Sequence, residues 1–173
     1  MTQPPAKGPA LARHARDGVT GEAEMPRAEI ERRLSEIDFR LEDHTAHIIR
    51  LAHQRGSTLF QNAFDGMSIT PTQVAVLATL LRYGDLPQNQ IGKYTAIDAA
   101  TLSPMLKRME LAGWVERIPS SEDQRVNLIH LTPHGQRFAL EVLPISRRVS
   151  DEVLAPLNAR DRKRFLELLR KLT

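Results

Sequence analysis

The chain has 173 residues, of which 41% are hydrophobic and 26% charged, and its formal net charge is +3. This composition is ordinary for one globular module, and the mild basic excess permits nucleic-acid binding without demonstrating it. The chain contains no cysteine, which excludes disulfides, thiolate zinc sites and thiol redox sensing. Because no apolar run approaches the ~18 residues of a membrane span and the N-terminus has no apolar segment typical of a signal peptide, we expect a cytoplasmic protein that does not enter membranes.

The first part of the chain divides into a tail and a helical region. Residues 1–26 are rich in Pro, Ala and Gly and are predicted to form a flexible tail. Beyond them, apolar residues recur at spacings of four, three and four, as on one face of a helix. The pattern extends to about Phe64 and fits either one long helix or a short helix followed by a long one, with Asp38 as a candidate cap of the second. The stripe begins with Ile30, Leu34, Ile37 and Leu41.

Three shorter helices are predicted next. Thr70-Pro71-Thr72-Gln73 is a capping box with proline at the first helical position. A second helix is predicted from about Pro87 to Tyr94, and a third from the N-cap Asp98 to Gly113. The apolar positions of the third helix lie at spacings that form a single core-facing stripe. They are Leu102, Met105, Leu106 and Met109.

A pattern typical of strands follows the third helix. Residues 114–118 and 126–131 are predicted strands, and the polar, turn-prone residues 119–125 between them make the tip of a charged β-hairpin. Three helices followed by such a hairpin is the order of a winged helix-turn-helix. In that fold one helix enters the major groove of DNA and the hairpin reaches a neighbouring groove.

Two further amphipathic helices are predicted near the C-terminus. Thr132-Pro133 has the composition of a helix start, Pro144 should bend the helix that follows, and Asn158 should cap the last one. We therefore expect a mainly α protein with a small β-hairpin wing.

The third short helix has the composition of a DNA-reading element. The side chains on its outer face are small near the start of the helix, which lets the backbone approach DNA. Further on the face is cationic, and there Lys107 and Arg108 can neutralise phosphates. Arg117 on the first strand is a further candidate phosphate contact. Pro104 breaks a helix rule, which marks either a functional position or a tolerated bend. The alternative interpretation is an ordinary solvated amphipathic helix. The candidate DNA-binding residues of the helix are Ala99, Ala100, Thr101, Ser103, Pro104, Lys107 and Arg108.

These segments together resemble the MarR family of bacterial regulators. The resemblance rests on DAATLSPMLKRME (98–110), GWVER (113–117), DQR (123–125) and LTPHG (131–135). In that family the recognition helix is followed by a wing that carries a D-x-R motif and then by LT-x-x-G. The resemblance covers roughly residues 41–172 and implies a DNA-binding transcriptional regulator with the winged helix-turn-helix fold.

Several residue roles are implied by the resemblance. Arg125 matches the wing arginine that enters the minor groove, and Asp123 matches the acid that orients it. This is consistent with the attraction of arginine to a narrow minor groove and with charge-assisted pairing. The positions that meet the major groove in family members correspond to Thr101, Ser103, Pro104 and Lys107.

A homodimer is also implied, because family members dimerise through their first and last two helices. The expected organisation is a tail (1–26), an N-terminal dimerisation region (27–66), a DNA-binding lobe (67–132) and C-terminal dimerisation helices (133–173). A two-fold dimer predicts an inverted-repeat operator on double-stranded DNA. Repression is the expected mode of regulation.

Many members resembling this chain release DNA when a small aromatic acid, or its coenzyme A thioester, binds between the dimerisation helices and the DNA-binding lobe. This implies a regulator of aromatic compound catabolism, and no cofactor is expected. An imidazole or guanidinium beside apolar side chains can hold a carboxylate or phenol; interface or surface histidines are the alternative interpretation. The candidate effector-binding residues are His44, His47, Ile48, Arg50 and Leu51.

Four alternatives remain open or can be set aside. A metal-responsive regulator of the same fold is conceivable from Glu42, Asp43, His44 and His47, although no further ligand set is visible. A helical dimerisation or adaptor protein that no longer binds DNA is the alternative of a different class. The family branch that senses organic peroxide through a cysteine is excluded by the composition. An enzyme is not expected, because no nucleophile–base motif or phosphate loop is present.

Overall fold

A computed structural model describes residues 24–121 and 124–172, and the chain divides into two compact units between His44 and Thr45. In the first unit, helix α1 (Arg27–Ile37) is followed by a short 3-10 helix, Leu41–Asp43. Asp38 ends α1 in the left-handed conformation, with φ of 51°. The apolar stripe is therefore split into a short helix and a long one, and the prediction that Asp38 caps the second was wrong. The predicted tail lies almost entirely outside the described residues.

Helix α1 carries a network of ion pairs on its solvent side. Glu29 accepts hydrogen bonds from Arg32 and Arg33, each at 2.8 Å to the same carboxylate oxygen. These two guanidinium groups, Arg32 first, lower the pKa of the Glu29 carboxyl. On the same helix Ile30 is half-buried, whereas Leu34 and Ile37 are exposed, at 44% and 67%. The helix thus presents one charged side and one uncovered apolar side.

The second unit contains six helices and a three-stranded antiparallel sheet in the described residues. The sheet has the strand order β1-β3-β2. The helices are α2 (Thr45–Ala63), α3 (Pro71–Tyr83), α4 (Gln88–Thr95), α5 (Ala99–Leu111), α6 (Pro133–Val153) and α7 (Ala159–Leu169). The strands are β1 (Leu86–Pro87), β2 (Val115–Pro119) and β3 (Asn127–Leu131).

Side-chain caps start four of these helices where the sequence predicted them. Thr70 and Gln73 form a reciprocal capping box at α3, with Thr70 N donating to Gln73 Oε1 at 2.9 Å. Asp98, Thr132 and Asn158 each accept a hydrogen bond from the backbone N–H three residues later, at 2.9 Å. Each cap gives a partner to an N–H group that has none within its helix, so the four predicted helix starts are confirmed.

The predicted hairpin is confirmed, with an additional strand at its edge. Strands β2 and β3 pair from Val115 opposite Leu131 to Pro119 opposite Asn127. Strand β1 adds two residues on the other side of β3, with Leu86 opposite Ile129. The predicted core stripe of α5 is confirmed too, because all four of its apolar side chains lie buried in the core, where α5 packs on α4 and β2.

Helix α6 packs on α2 and runs without interruption through Pro144. Arg55 of α2 donates hydrogen bonds to the carbonyl oxygens of Glu152 at 3.1 Å and Val153 at 3.3 Å. These carbonyls belong to the last turn of α6, where a helix lacks the N–H donors four residues later, although Ala155 N also donates to the Glu152 carbonyl at 3.1 Å. A cation at this end also complements the helix dipole, so Arg55 stabilises the α2–α6 pair.

Apolar residues remain exposed on α2 and α7. On α2, Ile48, Ile49 and Leu51 have about half of their surface exposed. On α7 the exposed side chains are Phe165, Leu166, Leu168 and Leu169. No helix within residues 24–121 and 124–172 is long and apolar enough to cross a membrane.

Candidate nucleic-acid interface

The outer face of α5 is an exposed strip backed by a buried face. Its inner side chains anchor the helix, and Leu106 and Met109 have no exposed surface. The anchoring leaves the opposite side in solvent over the whole helix. All seven residues predicted to contact DNA on this helix are exposed, and they are Ala99, Ala100, Thr101, Ser103, Pro104, Lys107 and Arg108.

The start of α5 is fixed by Asp98. One carboxylate oxygen accepts from the backbone N–H of Thr101 at 2.9 Å, and the other accepts from the Thr101 hydroxyl at 2.8 Å. The hydroxyl bond, and then the backbone bond, lower the pKa of the Asp98 carboxyl. Because the Thr101 proton is directed at Asp98, the hydroxyl presents lone pairs to the outside. Thr101 is therefore equipped to meet a hydrogen-bond donor and not a phosphate.

An ion pair joins α5 to the sheet. Arg117 of β2 lies 2.9 Å from Glu110 of α5 (Nε to Oε1), and both side chains are about one-third exposed. The pair fixes the base of the wing against the recognition helix. It also gives the Arg117 guanidinium a partner within the protein, so Arg117 is a poorer candidate for a phosphate contact than the sequence suggested.

The tip of the wing is described only in part. Arg125 lies in the β2–β3 connection and is exposed, as expected for a residue that reaches out from the hairpin. Asp123 lies outside the described residues, so its pairing with Arg125 stays a prediction. At the other end of β3, His130 Nδ1 lies 2.7 Å from Asp85 Oδ1 and links the strand to the segment after α3.

A concave surface of about 500 Å³ lies between α4 and the start of α5. Ala99 lines it together with the polar side chains Gln88, Asn89 and Lys93 of α4. The sequence interpretation did not single out these three residues, although polar residues in the first turn after Pro87 were a visible signal. They extend the exposed polar strip of α5 onto the preceding helix.

The predicted effector-binding residues lie in both units, with His44 at the end of the first and the other four on α2. His44 has extended backbone directly before α2, which begins at Thr45. His47 Nδ1 lies 3.3 Å from Arg50 Nη2 on α2. Ile48 and Leu51 are 50% and 47% exposed. Across the described residues, no group of three or more His, Asp or Glu side chains is arranged to hold a metal ion.

A different, open cavity in the second unit combines an aromatic side chain with a guanidinium. It measures about 510 Å³ and lies between the α2–α3 connection, the end of α5 and the start of β2. Trp114, whose ring stacks on Phe138 with centroids 4.5 Å apart, forms one edge. Arg108 forms another, and no carboxylate in the described part of the chain pairs with it. The remaining lining residues are Met67, Ser68, Ile69, Thr70, Gln73 and Ala112.

Comparison with known proteins agrees with this geometry. Residues 69–126 match the sequence model of the MarR family. The transcriptional repressor NicR of Pseudomonas putida is 29% identical over 80% of this chain and 88% of its own length. A probable transcriptional regulator from Pseudomonas aeruginosa has a TM-score of 0.72 and 37% identity over 78% of this chain and all of its own. BpsR of Bordetella bronchiseptica, whose DNA binding is regulated by 6-hydroxynicotinic acid, has a TM-score of 0.74 and 28% identity over 78% of this chain and 96% of its own.

The exposed α5, the capped helices before it and the three-stranded sheet after it define a winged-helix transcriptional regulator. The chain belongs to the MarR family. The relatives compared are transcriptional regulators and not enzymes.

Proposed function

We propose that the protein is a repressor that binds a pseudo-palindromic operator as a homodimer. The observation that carries the proposal is the outer face of α5, which is small near Ala100 and Ser103 and cationic at Lys107, while the opposite face is buried. Such a face lets a helix lie deep in a major groove with its cations at the phosphates. Support comes from NicR, a repressor, and from BpsR, a regulator of which DNA binding is the controlled step.

The homodimer is proposed to form through the regions 27–66 and 133–173. Exposed apolar residues on α1, α2 and α7 provide surface that is unfavourable in water and favourable at a contact with a second copy. A two-fold dimer carries two copies of α5 and therefore binds two half-sites about one helical turn, roughly 10 base pairs, apart. The lobe 67–132 is proposed to make all contacts with DNA.

Selection from randomised duplex DNA tests this function. The purified protein should enrich an inverted repeat, and footprinting should protect both half-sites. Lys107→Ala should reduce the slope of log K against log salt by about 0.9 for each phosphate that the variant no longer neutralises. Lys163→Ala on α7, which removes the same charge outside the lobe, is the control and should leave the slope unchanged. Enrichment of no sequence would instead favour a dimerisation or adaptor protein that does not bind DNA.

We further propose that a small aromatic acid, or its coenzyme A thioester, releases the operator. The regulation of BpsR by 6-hydroxynicotinic acid supports this ligand class. The cavity beside Trp114 has an aromatic wall and one guanidinium, which suits a planar carboxylate. Because Arg108 belongs to the same helix as the proposed base contacts, a carboxylate bound to it would remove a cation from the DNA phosphates. His44, His47, Ile48, Arg50 and Leu51 form the second candidate site.

Isothermal titration with 6-hydroxynicotinate and benzoate distinguishes the two effector sites. Arg108→Gln should abolish binding of the acids if they occupy the cavity at Trp114, whereas Arg50→Gln should leave their affinity unchanged. The opposite pattern would assign the effector to the α2 residues. Titration with Zn²⁺ addresses the metal-responsive alternative, since zinc-dependent release of DNA without any effect of the acids would favour it over an aromatic effector.

A further inference from the structure

Helix α5 contains an exposed proline in the middle of its outer face. Proline has no backbone N–H, so the hydrogen bond that residue 104 would donate to the carbonyl oxygen of Ala100 does not exist. No side chain in the described part of the chain donates to that oxygen either. The helix nevertheless continues to Leu111, held by its buried inner face. The Ala100 carbonyl is therefore an acceptor without the donor that a regular helix supplies four residues later.

The Ala100 carbonyl belongs to a residue on the side of the helix proposed to face DNA. Ala100 and Pro104 are one turn apart and both exposed. The proline ring crowds the carbonyl four residues earlier, and solvent-side carbonyls tilt outward from a helix. Ala99 and Ser103 beside it are too small to cover it. A base edge in the major groove can reach this oxygen without displacing a large side chain.

Thr101, the residue after Ala100, has the same acceptor character. The Thr101 hydroxyl donates its proton to Asp98 and so presents lone pairs outward. Guanine N7 and O6 and thymine O4 are acceptors that an acceptor surface disfavours. The donors in the major groove are the exocyclic amino groups of cytosine (N4) and adenine (N6). An acceptor at this position thus favours the two bases that present a donor in the major groove.

We infer that Pro104 is a specificity-determining residue, which frees the Ala100 carbonyl to accept a hydrogen bond from an exocyclic amino group of adenine or cytosine in each half-site. The inference rests on the proposed DNA-binding function and adds to it a named acceptor and the bases that the acceptor recognises. Reading through a backbone atom also explains how a helix face with few long polar side chains near its start distinguishes sequences.

The first test compares Pro104→Ala with the parent in selection from randomised duplex DNA. Alanine restores the N–H that bonds to the Ala100 carbonyl. The parent should prefer adenine or cytosine at one position of each half-site by about fivefold, the value of one net hydrogen bond, and the variant should lose this preference. Pro144→Ala, the same change in α6, should keep it. An unchanged preference in Pro104→Ala would overturn the inference.

The second test removes the amino group from the DNA. Replacing the selected adenine by purine, or the selected cytosine by pyrimidin-2-one, should weaken the parent about fivefold and Pro104→Ala by less than twofold, as in a double-mutant cycle. Equal losses in both proteins would refute a bond to Ala100. A loss of affinity seen only when thymine is replaced by uracil, which lacks the C5 methyl group, would instead assign the specificity of Pro104 to a contact between that methyl group and the proline ring. If the parent enriches no sequence, the DNA-binding function itself fails, which is a separate outcome.

Discussion

The LT-x-x-G segment makes a close contact between the start of α6 and the sheet, and a single methyl group tests it. A Cβ added at Gly135 would lie 1.8 Å from the carbonyl oxygen of Trp114 and 2.7 Å from its carbonyl carbon. Two hydrogen bonds hold the backbones together here. The Thr132 hydroxyl donates to the Gly113 carbonyl at 2.6 Å, and Thr132 N donates to the Trp114 carbonyl at 3.1 Å.

The expected cost of Gly135→Ala follows from these distances. Ordinary contacts between heavy atoms lie at about 3.5 Å, so the two backbones must separate by more than 1 Å, which is roughly enough to break both bonds of Thr132. Overpacking costs about 1–3 kcal/mol and each broken hydrogen bond about 1 kcal/mol. We expect the free energy of unfolding to fall by about 3–5 kcal/mol, at the high end for a single substitution.

Urea denaturation at fixed protein concentration measures this loss, because the stability of a dimer depends on concentration. The control is Gly56→Ala in α2, where an added Cβ would lie 3.7 Å from Val153 Cγ2, an ordinary contact. It should leave stability unchanged or raise it by up to ~1 kcal/mol, because alanine favours helix more than glycine does. A loss below about 1 kcal/mol in Gly135→Ala would show that the contact relaxes freely and that this steric account of the motif is incorrect.

Three further predictions concern the wing, the helix cap and the dimer. Arg125→Ala should weaken operator binding more on sites with A·T pairs under the wing than on G·C-substituted sites, and equal binding of parent and variant at matched salt would remove the wing from the interface. Asp98→Ala should lower the urea midpoint at neutral pH. Because the pKa of Asp98 is lowered in the folded state, its stabilisation is present above the unfolded value of about 4 and is lost as the pH falls through the folded value, so the two proteins should converge in acid; a constant difference at every pH would contradict the charge-based cap. Leu168→Glu on α7 should yield monomers in sedimentation, and an unchanged dimer would move the interface elsewhere.

Local chemistry was predictable from the sequence, and contacts between distant residues were not. The capping box at Thr70 and the cap at Asp98 involve residues within four positions of each other, so the local sequence is sufficient to predict these two helix starts. Strand β1 has two residues and exists because Leu86 pairs with Ile129, which no periodicity can indicate. The fold and the outer face of α5 followed from periodicity and family motifs.

The candidate site was predictable only along single elements. The pairing of Arg117 with Glu110 depends on how β2 returns against α5, and the cavity beside Trp114 depends on three separate segments. The apolar periodicity that runs to about Phe64 did not indicate the 3-10 turn Leu41–Asp43, after which α2 starts at Thr45.

Trp114 is the only tryptophan in the chain. It lies between the end of α5 and the first strand of the hairpin, stacked on Phe138 of α6, at the edge of the cavity that contains Arg108. Its emission therefore comes from a single place in each protomer, without a label or a second fluorophore of the same kind. A change in intensity or wavelength on adding an acid reports events in that cavity, and the same signal on adding operator DNA reports whether the recognition helix shifts against α6. One natural probe can thus follow both binding partners of the protein in the same cuvette.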